Sequence, residues 1–356
     1  MDFGLQETER EICELAESML RDFSTPERLL ELEEGPLRVD RELWAALKEA
    51  GITSIGIDPE QGGTGLGFGE SCLVLEQIGK TAAAVPLLTH GIALLALQHS
   101  GAHEELHRYL ATDGWLAASA RIGHGNGLQE ANGRLTGTIS AVPYAPEAEA
   151  FLLPARADES WNLYLVPAGQ QSMRVEGQLG TDQSPMGRVL LEEAQARKLG
   201  DAALLEWLHQ RLIAGSCAIQ TGVVEEAMRI TTAWVCDHEV FGVKEGTFQA
   251  VSQRMADVYI DVMMLQIMSR NAASMLAAQD DAVADVLAAK ILAGDVGHRV
   301  LASCQHLHGG VGHDRSYSLW RYAVAAKQNE LAMTSSSEAA AALGAIIASR
   351  PELVAL

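Results

Sequence analysis

Four long runs of helix-forming sequence, roughly residues 203–237, 247–279, 282–307 and 321–348, fill the C-terminal part of this 356-residue chain. Amphipathic helices of that length hold together by packing side by side, so a helical bundle is expected there. Residues 1–112 are also helical in pattern. In RELWAALKEAGI, Leu43, Trp44, Leu47 and Ile52 recur at three- and four-residue steps, and Gly51 follows as a C-cap. Further helices are expected around 68–80, 84–99 and 103–111. Between the two helical parts, GRLTGTIS, EAFLLPARA, WNLYLVPA, QSMRVEGQ and GRVLLEEA are short β-prone runs separated by Gly, Pro, Asp and Asn. That spacing predicts a small antiparallel barrel or sandwich. The expected fold class is α+β. It comprises an N-terminal helical domain (1–112), a middle β domain (113–198) and a C-terminal four-helix bundle (199–356).

The charge balance narrows the partners. With 26 Lys+Arg against 47 Asp+Glu the formal net charge is -21, and no cluster of basic residues is available for a nucleic-acid backbone. Phosphorylated small molecules remain open, because backbone amides and a few local cations suffice to hold them. MDFGLQETERE has neither a basic n-region nor an apolar h-region, and no apolar run reads as a transmembrane helix. Cys13, Cys72, Cys217, Cys236 and Cys304 are odd in number, scattered and set in apolar surroundings, the usage of reduced core thiols in a cytoplasmic protein.

The stretch CQHLHGGVG (304–312), followed by His313, collects metal-ligand atom types. Zinc sites draw on two separated pairs, and no second pair stands at ligand spacing. On a helix, His306 and His308 at i and i+2 would face apart. No metal is expected. The glycines point instead to a helix end where a ligand's phosphate or ribose approaches the backbone. GGTGLGFG (62–69) lacks the preceding strand and following Lys-Ser/Thr of a phosphate loop, and reads as a connection between helices. TSSSE (334–338) reads as a capping run opening the Ala-rich last helix.

DHEVFGVKEGTFQAVSQRMADVYID (237–261), HLHGGVG (306–312) and GIDPEQGGTGLGFGESCLVLEQIGK (56–80) together resemble the acyl-CoA dehydrogenases, over nearly the whole chain. The resemblance implies a helical domain, a β-barrel and a four-helix bundle. It also implies FAD and the insertion of an α,β double bond into an acyl-CoA thioester, with a carboxylate removing the α-proton. Carried over position by position, the family's Arg-x-x-Phe-Gly becomes His238, Glu239, Val240, Phe241 and Gly242. Its arginine, which reaches the FAD diphosphate across a subunit interface, is thus a histidine, a conditional cation. Phe248 and Gln249 match the family's Phe-Gln. The family's Gln-x-x-Gly-Gly-x-Gly falls on His306, Gly309, Gly310 and Gly312, with His306 for the glutamine. Ser336 and Glu338 stand where family residues lie near FAD.

The base is missing from its usual places. Thr334 occupies the family's common catalytic glutamate position. Leu212 stands near the alternative position on the first bundle helix. Glu330, one turn before Thr334, is a nearby carboxylate and a candidate displaced base. The family's flavin segments also find no match in AASARIGHGNG (117–127), and Gly137, Thr138, Ile139 and Ser140 stand where a Lys-Trp-like pair belongs. HLHGGVGHDRSYSLWRY (306–322), with Ser318 in place of a proline, is similar to the short partner subunit of heteromeric bacterial dehydrogenases acting on steroid side-chain CoA thioesters. That implies a larger partner subunit, a dimer or tetramer, an FAD site shared across the interface and an electron-transfer flavoprotein as oxidant. A self-sufficient homo-oligomer using Glu330, and a flavin-free scaffold that binds acyl-CoA, are the alternatives left open. Arg254, Arg299, Arg315 and Arg321 are the cations available where CoA would enter.

Overall fold

The structure is a computed structural model that describes residues 5–121, 127–279 and 281–350. In chain order it begins with helices α1 (Glu7–Phe23), α2 (Pro26–Glu34), α3 (Arg41–Glu49), α4 (Phe68–Thr81), α5 (Leu87–His99) and α6 (His103–Ala111). Strands β1 (Leu116–Ala118), β2 (Gln129–Ala131), β3 (Arg134–Pro143), β4 (Ala150–Ala157), β5 (Ser160–Pro167), β6 (Met173–Leu179), β7 (Pro185–Gln195) and β8 (Arg197–Gly200) follow. The chain ends in α7 (Ala202–Asp237), the two-residue strands β9 (Glu239–Val240) and β10 (Val243–Lys244), α8 (Gln249–Ala277), α9 (Val283–His308), α10 (Leu319–Leu331) and α11 (Ser336–Ser349). Two compact units result, one of residues 27–71 and 84–212, the other of 1–26, 72–83 and 213–356.

The first unit holds the sheet. Its strands run in the order β6-β7-β3-β2-β4-β5-β8, with β1 beside β4. The sheet is mainly antiparallel, as the short runs separated by turn residues predict, but β1 and β2 both pair with β4 in parallel. Those two three-residue strands, and β8, carry too few residues to show a period. α3 forms as expected: Asp40 caps it, accepting from the backbone N–H groups of Glu42 and Leu43. Leu43, Trp44, Leu47 and Ile52 are all buried, and Gly51 takes φ 73° at the helix end. The 62–69 glycines serve a connection between helices. A Cβ on Gly63 would stand 2.1 Å from the Ile57 carbonyl oxygen, so only glycine fits.

At the centre of this unit His90 on α5 is buried, and its Nδ1 accepts from the Leu116 backbone N–H at 3.1 Å. Its ring meets Trp44 edge-on at 5.1 Å. Burial, then the nearby Lys48 charge, pushes its pKa down to about 3.

The second unit is the bundle. α4 and α7 cross where each carries a glycine. A Cβ on Gly79 would lie 2.0 Å from the Ile219 carbonyl oxygen, and one on Gly222 1.9 Å from that of Glu76. Around this crossing Glu76 meets Arg270 at 3.3 Å and Lys80 at 3.6 Å, while Lys80 reaches Glu225 at 2.9 Å. Gln220 of α7 donates to the carbonyls of Ala293 on α9 and Ala326 on α10. Lys290 of α9 is buried and donates to the Asn329 carbonyl in the last turn of α10.

One expectation is corrected here. The run expected as a single helix over 321–348 is two, α10 and α11, broken at 332–335 by Met333 in the left-handed region (φ 61°). The whole Leu319–Ser349 stretch is long and apolar enough, by composition, to cross a membrane, contrary to the reading of the sequence, but the break divides it. The TSSSE run caps α11 as expected: Ser335 accepts from the Glu338 N–H and the Glu338 carboxylate accepts from the Ser335 N–H. None of the five cysteines is in a disulfide, but Cys236 is exposed rather than part of a core.

The His90 geometry makes a pH-dependent stability. Its folded pKa lies below the ordinary value of 6.5, so the unfolded chain takes up a proton that the folded chain refuses. Stability is complete above about pH 6.5 and falls as pH drops toward 3, by up to ~1.4 kcal/mol per pH unit from this group. Urea unfolding between pH 5 and 7 is expected to show that slope in the wild type. A His90→Gln variant, whose amide oxygen still accepts from Leu116, is expected to flatten it.

Candidate functional site

The residues singled out at 238–249 and 304–313 lie around the C-terminal end of α7. Trp234, in the last turn of that helix, is the piece the sequence did not advertise. His238 stacks on its indole at 4.6 Å and His308 at 4.9 Å, and Tyr317 stands edge-on at 5.9 Å. His308 is buried among these rings. Its Nδ1–H donates to the Cys304 carbonyl at 2.8 Å, which leaves Nε2 to accept from the Tyr317 hydroxyl at 3.2 Å. Burial pushes its pKa down, in keeping with a neutral ring. His308 is therefore a strut inside the bundle, with both ring nitrogens engaged within the chain. Among the described residues no group of three His, Cys, Asp or Glu side chains is arranged to hold a metal ion.

The neighbouring positions face outward. α9 stops at Gly309, whose φ 59° and ψ -139° suit glycine alone. His306, Gly309 and Gly310 are exposed. His238 follows the last residue of α7 and is exposed. Phe241 and Gly242 form the tip of the β9–β10 hairpin, both at positive φ (54° and 78°). A phenylalanine held in this conformation is strained, and it is 95 % exposed. Phe248 is the N-cap of α8 and supplies no side-chain acceptor; its carbonyl takes the Val251 and Ser252 N–H groups, so those of Gln249 and Ala250 at the start of that 29-residue helix remain open to an anion.

Between α7 and the start of α10 lies a cavity of about 510 Å³ lined by Arg229, Ile230, Ala233, Trp234, Asp237, His238, Tyr317 and Ser318. The Trp234 Nε1–H is buried without a partner among the described residues, and so is the Ser336 hydroxyl. The orphaned Trp234 donor, the exposed imidazole and the open helix terminus suit a phosphate-bearing dinucleotide such as FAD, so the residues present fit that group, whereas the Ser336 hydroxyl packs beside Gly294 of α9, outside this cavity.

The candidate base positions have the following surroundings. Leu212 is a fully buried aliphatic side chain. Thr334 is buried, its hydroxyl 3.5 Å from the Glu338 carboxylate. Glu338 itself is committed to the α11 cap through Ser335. Glu330 is paired with Lys327 one turn earlier on α10. Arg299 is paired with Asp261, and Arg321 is buried, so neither is a loose cation at a surface.

In the sheet unit, several segments that depart from the family pattern line another cavity, of about 550 Å³. Thr138, Ser140, Arg121 and Trp161 are among its walls. Part of the 117–127 stretch, residues 122–126, lies outside the described residues.

Comparisons with known proteins agree with this layout. Residues 6–112 match the family model for the acyl-CoA dehydrogenase N-terminal domain, and residues 208–333 that for the C-terminal domain. The chain is 34% identical to acyl-CoA dehydrogenase FadE27 of Mycobacterium tuberculosis, over 99% of this chain and 100% of that protein. A chain in the crystal structure of the ChsE4-ChsE5 complex from Mycobacterium tuberculosis superposes with a TM-score of 0.93 at 34% identity, covering 98% of this chain and 99% of that one. A chain of the Tcur3481-Tcur3483 steroid ACAD G363A variant gives 0.92 at 30% identity, covering 97% and 99%.

The ring stack sets its own test. Tyr317→Phe removes the donor to His308 and leaves a buried imidazole nitrogen unpaired, at an expected cost of about 1 kcal/mol. Thermal unfolding of the variant measures it. The near-ultraviolet circular dichroism of the folded variant is expected to change, because Trp234 contacts both rings.

Proposed function

The chain belongs to the acyl-CoA dehydrogenase family, and from that premise we propose that it is the partner subunit, without a base of its own, of a heteromeric flavoenzyme. The enzyme oxidises an acyl-CoA thioester between its α and β carbons, with a steroid side-chain thioester the substrate class that its relatives' names favour. It works in the cytoplasm, and an electron-transfer flavoprotein takes up the electrons. A longer acyl-CoA dehydrogenase chain carries the base and most of the flavin site, and this chain completes the diphosphate end from across the interface.

The observation that carries this reading is the pairing of an empty base position with an outward-facing cofactor surface. Removing the α-proton of a thioester takes a carboxylate held over that carbon. Thr334 offers only a hydroxyl, Leu212 a hydrocarbon, and Glu330 a carboxylate already engaged by Lys327. Meanwhile His238, Phe241, Phe248, Gln249, His306, Gly309 and Gly310 are all exposed in the single chain, as contacts to a cofactor seated on another subunit would be.

FAD, when bound, supplies the acceptor for the β-hydride. This chain's residues hold its diphosphate: His238 and the Gln249 amide donate to it, joined by the open N–H groups of the first turn of α8. Gly309 and Gly310 let the backbone approach, and Phe241 covers an apolar edge. α11, of which only Ala339 is buried, and the exposed Tyr259, Ile260, Met264 and Ile267 of α8 support an oligomer that covers them.

Expressed alone, the chain is expected to purify colourless, and co-expressed with a longer homologue that keeps its glutamate it is expected to purify yellow in a stoichiometric complex. A yellow single chain that bleaches on adding acyl-CoA overturns the reading in favour of a self-sufficient enzyme. A colourless complex overturns it in favour of a scaffold. In the complex, His238→Arg places a permanent charge at the diphosphate and is expected to raise FAD occupancy. Unchanged or lower occupancy would contradict the diphosphate assignment.

A further inference from the structure

We propose that the grip on the cofactor is gated by protons, with His238 holding the FAD diphosphate firmly while its imidazole is charged and loosening when the charge is lost. The inference rests on the reading that His238 meets the diphosphate, and adds a regulation of that same site.

Two histidines stack on Trp234, and the chain treats them differently. His308 is buried, with Nδ1–H donating to the Cys304 carbonyl and Nε2 accepting from the Tyr317 hydroxyl. A second proton on that ring would break the bond from Tyr317, and burial opposes the charge as well. His238 is exposed, and among the described residues its ring nitrogens have no hydrogen-bond partner. Either nitrogen can carry a proton without breaking a bond. The place of the ring is nevertheless fixed. It lies on the indole at 4.6 Å, the His238 N–H donates to the Trp234 carbonyl at 2.8 Å, and the His238 carbonyl accepts from the Glu245 N–H at 2.9 Å. The charge therefore comes and goes at one position.

Charged and titratable groups approach His238 from each element beside it. Asp237 precedes it, and Arg229 lines the same cavity from further back along α7. Glu239 and Lys244 on the β9–β10 hairpin pair with each other at 3.1 Å, and Glu245 follows them. Tyr317, ahead of α10, lines the cavity as well. His306, exposed near the end of α9, is the other exposed imidazole of the proposed cofactor surface. Of these side-chain types only histidine changes charge between pH 5 and 8. Arg229 is engaged by Glu226 through Nε and Nη2, and Lys244 by Glu239, so neither stands ready as a permanent cation for a phosphate. An imidazolium is accommodated at the carbonyl end of α7 and against an indole. A neutral imidazole still donates one N–H. Losing the charge therefore turns a charge-assisted hydrogen bond into an ordinary one, a difference of roughly ten-fold in affinity.

The experiment is a titration of FAD release from the co-expressed complex between pH 5.5 and 8.5 at constant ionic strength, read by the fluorescence of free flavin. FAD is the probe because its diphosphate keeps both charges throughout that range. Light scattering at each pH verifies that the subunits stay together. The wild-type dissociation constant is expected to rise roughly ten-fold from the acid to the alkaline end. His238→Arg is expected to bind tightly at every pH, and His238→Gln weakly at every pH. His306→Gln is expected to keep the wild-type slope. His238 is exposed, and an unfolding scan of each variant verifies that it folds. A wild type without the slope, while His238→Gln still weakens FAD, overturns the inference and leaves the diphosphate reading standing. A slope that survives in His238→Gln also overturns it, since another group then titrates. Equal affinity in the wild type and both His238 variants overturns the diphosphate reading, and a complex colourless at every pH overturns both.

Discussion

Two glycines let α4 and α7 touch backbone to backbone, and the seat of α7 depends on that contact. With Gly79 against Ile219 and Gly222 against Glu76, no side chain separates the helices, and the polar groups Glu76, Lys80, Glu225 and Arg270 close around the crossing. A cluster of this kind, with Glu76 buried and its partners half-buried, adds little net stability, but it penalises any other register, since a shifted helix would strand the Glu76 carboxylate. α7 is gripped again by Gln220, which spans to α9 and α10, and at its end by the stack of Trp234 on His308. A helix held at three levels delivers its terminal residues, Asp237 and His238, to a fixed place. The candidate cofactor surface is built on that terminus.

Much of this was legible in the order of residues. The apolar spacing in RELWAALKEAGI returned α3 with Leu43, Trp44 and Leu47 buried, because local periodicity and burial agree there. The Ser335–Glu338 cap was legible because a capping box is a local hydrogen-bond pattern with a fixed spacing. The glycines at 309–310 pointed to a helix end for the same local reason. The break between α10 and α11 was legible only on one side: TSSSE marks where α11 opens, but Leu331 and Ala332 carry no sign that α10 has ended, and Met333 in a left-handed conformation has no signature of its own. The role of His308 was not legible. Its partners are a carbonyl one turn back, an indole on α7 and a phenol nine residues on, and only the packed bundle brings them together. Trp234 and Arg229 were passed over because on a long helix an aromatic or a charge is ordinarily a core or solvated residue.

The site is divided in a way that follows from chemistry. Binding a dinucleotide diphosphate takes donors and open backbone, and the proposal assigns that role to the α8 terminus, the 309–310 loop and His238. Starting the oxidation takes an anionic oxygen at the α carbon, and the two positions where relatives by resemblance keep it hold Thr334 and Leu212. On the proposed reading the chain keeps the first and leaves the second to another chain. The exposed Phe241 agrees: a strained hairpin presenting an aromatic ring to water is costly, and the cost is offset only when something covers the ring.

The most direct test of that division is α-proton exchange in D2O, which reads the base without depending on hydride transfer. The purified chain, supplied with excess FAD and in turn with butyryl-CoA, octanoyl-CoA and a steroid side-chain acyl-CoA, is followed by NMR for deuterium uptake at the α carbon. Exchange at the rate of the buffer blank for every thioester is the result this account predicts, with acceleration appearing only when a glutamate-bearing partner chain is present. Accelerated exchange by this chain alone, lost in Glu330→Gln, would contradict it.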